Sequence, residues 1–240
     1  MLRDRARGNR LAMTKFCRFD LRTTDADGAR TFYARLFGHE RAVVWPLHEQ
    51  ALARGARPHW LGHLGVADPE QVAADFVVRG ATRLGPARPT EEGGTAMVLR
   101  DPGGALLALS TPPRAVRAEL DVAWHVLNTR DAERATVNYR ELFGWEMTES
   151  AELAALGVVR EFAFRPDGAR EGVIADIAGR PGVHPHWLFV FEVPALSPAV
   201  ELTRAAGGVV LDPIILPGGE SLYVCDDPQG AAFALRERRP

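Results

Sequence analysis

At 240 residues, with 46% hydrophobic and 25% charged side chains, the chain is apolar enough to bury a core and long enough for two compact domains. Its 29 basic and 31 acidic residues are interspersed and leave a net charge of −2, which provides neither a basic face for nucleic acid nor an acidic tail. No apolar run nears the roughly 20 residues of a spanning helix. The opening MLRDRARGNRLAM also lacks the apolar core of a secretion signal, so the expectation is a cytoplasmic protein with no membrane and no nucleic-acid partner. Cys17 and Cys225 lie far apart without metal-clip spacing and read as reduced structural thiols.

Residues 1–12 read as a leader, which a start at Met13 would remove. FCRFDLRTT then alternates as a strand. Asp25 stands where a helix N-cap belongs, Ala29, Phe32, Tyr33, Leu36 and Phe37 make one apolar face, and Gly38 stops the helix. PLHEQALARGA reads as a short helix, where a further strand pair would otherwise fit. HWLGHLGVAD is a strand leading into a helix over 69–79 that ends at Gly80, followed by strands in ATRLGPA, TAMVLRD and GALLALS. The two prolines and charged run of STPPRAVRAEL mark a linker, drawn at 113–120 between domains over 13–112 and 121–240.

The plan then restarts. VAWHVLNTR is a strand, Asp131 a cap, Ala135, Tyr139, Leu142 and Phe143 an apolar face, and Gly144 a stop. Strands are expected near WEMTES, VREFAFRP and EGVIADIA. HWLFVFEV, a helix over 197–206, and strands in GVVLDPIIL, SLYVCDD and AAFALRE complete the chain.

A shift of 106 residues lays 20–40 on 126–146 with matches at Leu21, Thr23, Asp25, Ala26, Ala29, Tyr33, Leu36, Phe37, Gly38 and Glu40. PHWLGHLGV (58–66) meets PHWLFVFEV (185–193) at a shift of 127, and DPGGALLAL (101–109) meets DPQGAAFAL (227–235) at 126. Three echoes in one order mean a duplicated domain, with about 21 extra residues in the second copy. Each domain holds two βαβββ units, the first of them abridged in domain 1.

The paired βαβββ units, the phrase D-x(6)-[FN]-Y-x(2)-LFG and the closing DP-x-G-A-x(2)-A-L resemble the vicinal oxygen chelate superfamily of glyoxalases, bleomycin-resistance proteins and extradiol dioxygenases. The resemblance covers about 14–237. It implies an α+β fold of tandem glyoxalase-like domains, each a curved, cup-like sheet with helices outside and the ligand inside. It also implies metal ligands seven residues before the cap Asp and seven after the Asp of DP-x-G. Those positions hold Arg18, Trp124, Ala108 and Ala234, none of which can bind a divalent cation. On the strand opening each second unit the comparable place falls at Leu61 and Leu188, or at His63 after a slip of two. No metal and no cofactor are therefore expected.

Strand parity sends Arg18, Asp20 and Arg22 into the first cup, with His59, Leu61, His63, Ala108 and Ser110. These charges either satisfy one another or hold a ligand's carboxylate, phosphate or enolate oxygen, with His63 or Asp20 moving a proton. The same parity lines the second cup with Trp124, Val126, Asn128, His186, Leu188, Val190, Glu192 and Ala234, which suits a flat organic ligand or simple filling by side chains. His125 falls beneath the helix, and Trp60 and Trp187 pack between layers or at a domain contact.

The expected function is metal-independent binding of a small, planar or polycyclic organic molecule, of the sequestration or resistance type. The alternative is a metal-free isomerase, lyase or cyclase using Arg18, Asp20 and His63; a second alternative is a non-catalytic interaction domain. The internal duplication is compatible with a monomer or a homodimer.

Overall fold

The computed structural model describes residues 14–39, 41–90, 93–113, 120, 122–153, 156–216 and 219–238. The leader over 1–12 and most of the expected linker lie outside them. The first half runs β1 (Phe16–Thr23), α1 (Ala26–Phe37), β2 (Val43–Pro46), α2 (Glu49–Ala53), β3 (His59–Gly65), α3 (Pro69–Val78), β4 (Thr82–Arg83), β5 (Arg88–Pro89), β6 (Thr95–Arg100) and β7 (Leu106–Ser110). Its sheet has the order β2-β1-β3-β7-β6-β4, with β5 also paired to β6.

The second half runs β8 (Val122–Asn128), α4 (Ala132–Phe143), β9 (Glu146–Leu153), β10 (Gly157–Ala163), β11 (Gly172–Ala175), β12 (His186–Val193), α5 (Leu196–Ala205), β13 (Val209–Val210), β14 (Ile214–Ile215), β15 (Ser221–Asp226) and β16 (Ala232–Glu237). Its order is β13-β15-β16-β12-β8-β11-β10-β9, with β14 on β15. The fold is α+β, and the two halves repeat one plan. The abridgement is now explicit: β2 pairs parallel to β1 as β11 pairs parallel to β8, and the first half has α2 in place of a β9–β10 hairpin. Among the described residues no helix is long and apolar enough to cross a membrane.

Local chemistry fixes the repeated helices. Asp25 accepts from the Gly28 backbone N–H at 2.9 Å and Asp131 from that of Arg134 at 2.9 Å, each satisfying a donor that has no intrahelical partner. Gly38 and Gly144 end the helices at φ 73° and 72°, a left-handed conformation that is costly for residues with a Cβ. Between cap and stop, Ala29, Phe32, Tyr33 and Leu36 of α1 and Ala135, Tyr139 and Phe143 of α4 are buried.

The repeated phrases also tie the halves together. Trp60 donates its Nε1–H to the Tyr33 hydroxyl at 3.0 Å, and that hydroxyl donates to Asp227 of the other half at 3.1 Å. In mirror fashion Trp187 donates to Tyr139 at 3.2 Å, and Tyr139 donates to Asp101 at 3.1 Å. The repeated Tyr, Trp and Asp of each copy thus form a cross-half lock, sealed within one apolar core drawn from both halves. Close approach helps: a Cβ on Gly62 would stand 2.6 Å from both Phe16 and Phe189, so only glycine lets those rings lie against β3.

Tyr33→Phe and Tyr139→Phe are each expected to destabilise by about 1–3 kcal/mol, because each leaves a buried indole N–H without an acceptor. Urea denaturation of the single and double variants checks this. The losses should add, since the two locks share no partner.

Candidate functional site

On β1, Phe19 and Leu21 enter the apolar core, so Arg18, Asp20 and Arg22 occupy the opposite face of the sheet. Cross-strand register brings the rest of the site to them. Arg22 lies beside Trp45 of β2 and His59 of β3, Asp20 beside Leu61, and Arg18 beside His63, which in turn neighbours Ala108 of β7. Paired residues of adjacent strands project to the same side.

Asp20 is the centre, with no exposed surface. Arg18 donates to it from Nε at 2.6 Å and from a terminal nitrogen at 3.2 Å, and Arg22 donates from a terminal nitrogen at 3.1 Å. His63 Nε2 stands 3.2 Å from Asp20 Oδ2, close enough for strong electrostatics but off the line of a good hydrogen bond. On its other side, His63 Nδ1 meets Ser110 Oγ at 2.7 Å. A carboxylate at Nε2 favours the proton there, which assigns Nδ1 as acceptor of the Ser110 hydroxyl. Burial acts to raise the Asp20 pKa, but the close approach and charge of His63, then the bonds and charge of Arg18, outweigh it and hold the carboxyl below its usual range. Burial lowers the Arg22 pKa; Asp20 opposes that while Arg18 and Arg88 reinforce it.

The sequence-expected residues of the first half therefore converge: Arg18, Asp20, Arg22, His63 and Ser110 form one connected polar cluster with Leu61 as its floor. His59 sits at the end of the cluster beside Arg22. Its Nδ1 lies 2.8 Å from the Arg57 carbonyl, and burial depresses its pKa. Two residues missing from the sequence reading belong here, Trp45 and Arg88. Arg88 pairs with Ala96, itself opposite Ser110, which places it on the same face.

The second half is different. Val126, Leu188, Val190 and Ala234 join one apolar cluster with Val159, Val173 and Leu222, and Trp124 packs against it. Asn128 and His186 contact each other at 3.3 Å, and the His186 ring stacks on His184 with centroids 4.5 Å apart. Glu192 departs from the expected lining: at the end of β12 it accepts from Arg236 at 2.6 Å and borders a cleft of about 190 Å³ with Phe37, Phe191 and Arg238. The structure does not bring the polar residues of this half to one site. A cleft lies beside Glu192, but the connected titratable groups lie elsewhere, on the first sheet, and chemistry outweighs shape in choosing between them.

The register also corrects one alignment. The row through Arg18 and Ala108 passes through His63, not Leu61, and the row through Trp124 and Ala234 passes through Val190, not Leu188. A slip of two preserves strand parity, so parity alone cannot detect it. The first row offers a guanidinium, one imidazole and a methyl group, and the second an indole and two aliphatic side chains. Neither donor set fits a divalent cation, which takes about three protein ligands at a catalytic site. Among the described residues no three His, Cys, Asp or Glu side chains are grouped to hold one.

Paired βαβββ halves carrying these repeated phrases define a class, the vicinal oxygen chelate fold. Residues 121–235 match the model of the Glyoxalase/Bleomycin resistance protein/Dioxygenase superfamily. "Putative glyoxylase CFP32" of Mycobacterium bovis is 27% identical over 249 residues, spanning 92% of this chain and 94% of that protein. Among solved structures, the Mn(II)-bound glyoxalase from Novosphingobium aromaticivorans aligns with a TM-score of 0.59 at 14% identity, over 95% of this chain and 82% of that one. Homoprotocatechuate 2,3-dioxygenase from Arthrobacter globiformis aligns with a TM-score of 0.63 at 14% identity, over 95% and 81%. The second half of the chain, over residues 121–235, thus matches this superfamily, and the likeness to the solved structures extends the same fold over nearly the whole chain.

Proposed function

We propose that the chain binds a small organic molecule, without a metal, on the face of its first sheet that carries Arg18, Asp20 and Arg22. The observation that carries this reading is the buried Asp20 cluster, which stands beside the positions where the family resemblance implies metal ligands and offers guanidinium and methyl groups in their place. Accessibility decides what a ligand would meet. Asp20 and His63 are 0% and 4% exposed at their side chains, whereas Arg18 and Arg22 are 23% and 31% exposed and form the outer layer. That order favours binding through arginine over direct attack by the groups beneath. The packed apolar face of the second half supports a scaffold role for that half, and the internal cross-half lock is compatible with a functional monomer.

A second reading, metal-free proton transfer, is favoured by one observation, the continuous Ser110–His63–Asp20 chain. Turnover under this reading requires His63→Ala to abolish activity, while ligand binding through the arginines survives that change.

Freshly purified protein is expected to contain no stoichiometric transition metal by elemental analysis and to show a small-molecule adduct, or a ligand-dependent rise in Tm across a panel of planar organic compounds. A ligand at a hundred times its Kd adds about 2.7 kcal/mol of stability. Stoichiometric manganese, iron, nickel or zinc, or a flat response to the whole panel, would overturn the reading.

A further inference from the structure

The geometry points to an organic anion, of the aromatic carboxylate class, as the ligand, its carboxylate seated between Arg22 and Trp45. This deepens the proposed ligand-binding reading and rests on it. The first support is charge. The charges acting most strongly on Arg22 are one carboxylate, Asp20, and two guanidiniums, Arg18 and Arg88. Asp20 is already shared by Arg18, Arg22 and His63. Arg22 is 31% exposed at its side chain and Arg88 is exposed, so an approaching anion meets guanidinium groups at the outer side of the cluster.

The second support is independent of charge. Arg22 Nε and Trp45 Nε1 are both enclosed and both lack a hydrogen-bond partner. They belong to register neighbours on adjacent strands, about 5 Å apart, and project to the same side. Both are pure donors, so neither can satisfy the other. A carboxylate, with two acceptor oxygens, satisfies both donors. Trp45 is half-buried and, among the described residues, joins neither apolar cluster, and its indole is the surface on which an apolar body attached to that carboxylate would rest.

The test uses the full chain labelled with ¹⁵N and read at the tryptophan indole resonances, with Trp45 assigned through Trp45→Phe. Benzoate is expected to shift the Trp45 indole signal in a saturable way, and benzamide, its neutral isostere, to bind at least about tenfold more weakly, as loss of one charge-assisted hydrogen bond implies. Arg22→Lys keeps the charge beside Asp20 but removes the Nε donor, and should weaken benzoate by a similar factor. Equal response to benzoate and benzamide overturns the anion assignment while leaving ligand binding intact. Inorganic phosphate binding as tightly as benzoate overturns the organic part, and silence toward benzoate overturns the inference outright; the neutral members of the planar panel still judge the parent reading. Should Arg22→Lys fail to fold, the benzoate-dependent rise in Tm, expected in the parent and absent in Trp45→Phe, provides the same decision.

Discussion

Asp20→Ala is expected to cost about 3–5 kcal/mol of stability, the range seen when one member of a buried charge network is removed and its partners are left uncompensated. The reason is the asymmetry of the cluster. Arg18 and Arg22 both direct donors at one carboxylate that has no exposed surface, and His63 borders it from the third side. Without that carboxylate two guanidiniums remain close together, with the charge of Arg88 adding to the repulsion. Asp20→Asn tests charge against shape: it keeps an acceptor oxygen but turns an NH2 group toward the arginines, and should fall almost as far. Chemical denaturation reads both. A loss below about 1 kcal/mol, the scale of a solvent-screened surface pair, would show that the cluster lies at an open rim and is not a buried network. Arg18→Ala should cost less than Asp20→Ala, because its removal leaves Asp20 still bonded to Arg22.

The site is legible in the sequence to the extent that strand parity reaches. FCRFDLRTT alternates cleanly, so the shared face of Arg18, Asp20 and Arg22 follows from Phe19 and Leu21 packing inward, and the structure agrees. The helix caps were equally readable because each is a local bond spanning three residues, Asp25 to Gly28 and Asp131 to Arg134. Register is another matter. Leu61 and His63 share parity, so only pairing across β1 and β7 could choose His63. Trp45 escaped notice because WPLHEQ lacks a strand's length; four residues qualify as β2 only through ladder bonds to β1, a tertiary effect. The cross-half bond from Tyr33 to Asp227 spans 194 positions. Repetition of its members showed that they mattered, but their meeting depends on how two duplicated halves pack, which no local pattern encodes.

Stability is also expected to decline as pH falls from about 6.5 toward 4, with His125 a main contributor. Burial depresses its pKa from an ordinary 6.5 to about 4. The ring lies among aromatic side chains, stacked on Phe16 at 4.9 Å and 9° and bordered by Phe19, Phe164 and Phe189. Its Nδ1 donates to the Glu171 carbonyl at 2.8 Å, while Nε2 is buried without a partner. The sign follows from proton binding: between the two pKa values the unfolded chain holds a proton that the folded chain refuses, so acid favours unfolding. At about 1.4 kcal/mol for each tenfold change in proton affinity, the full loss is about 3 kcal/mol, complete near pH 4 and absent above about pH 7. His186, also depressed to about 4 by burial, acts in the same direction. Asp101 and Asp227 act oppositely, since burial raises their pKa and protonation favours the folded state, which blunts the acid end of the curve. The diagnostic variant is His125→Phe, which keeps an aromatic ring against Phe16 and removes the titrating nitrogen. Its absolute stability will change through repacking, so the slope of unfolding free energy between pH 6.5 and 4 is the quantity to compare. A slope much shallower than that of the parent identifies His125 as the group that loses out in acid, and an unchanged slope assigns the acid sensitivity to another group.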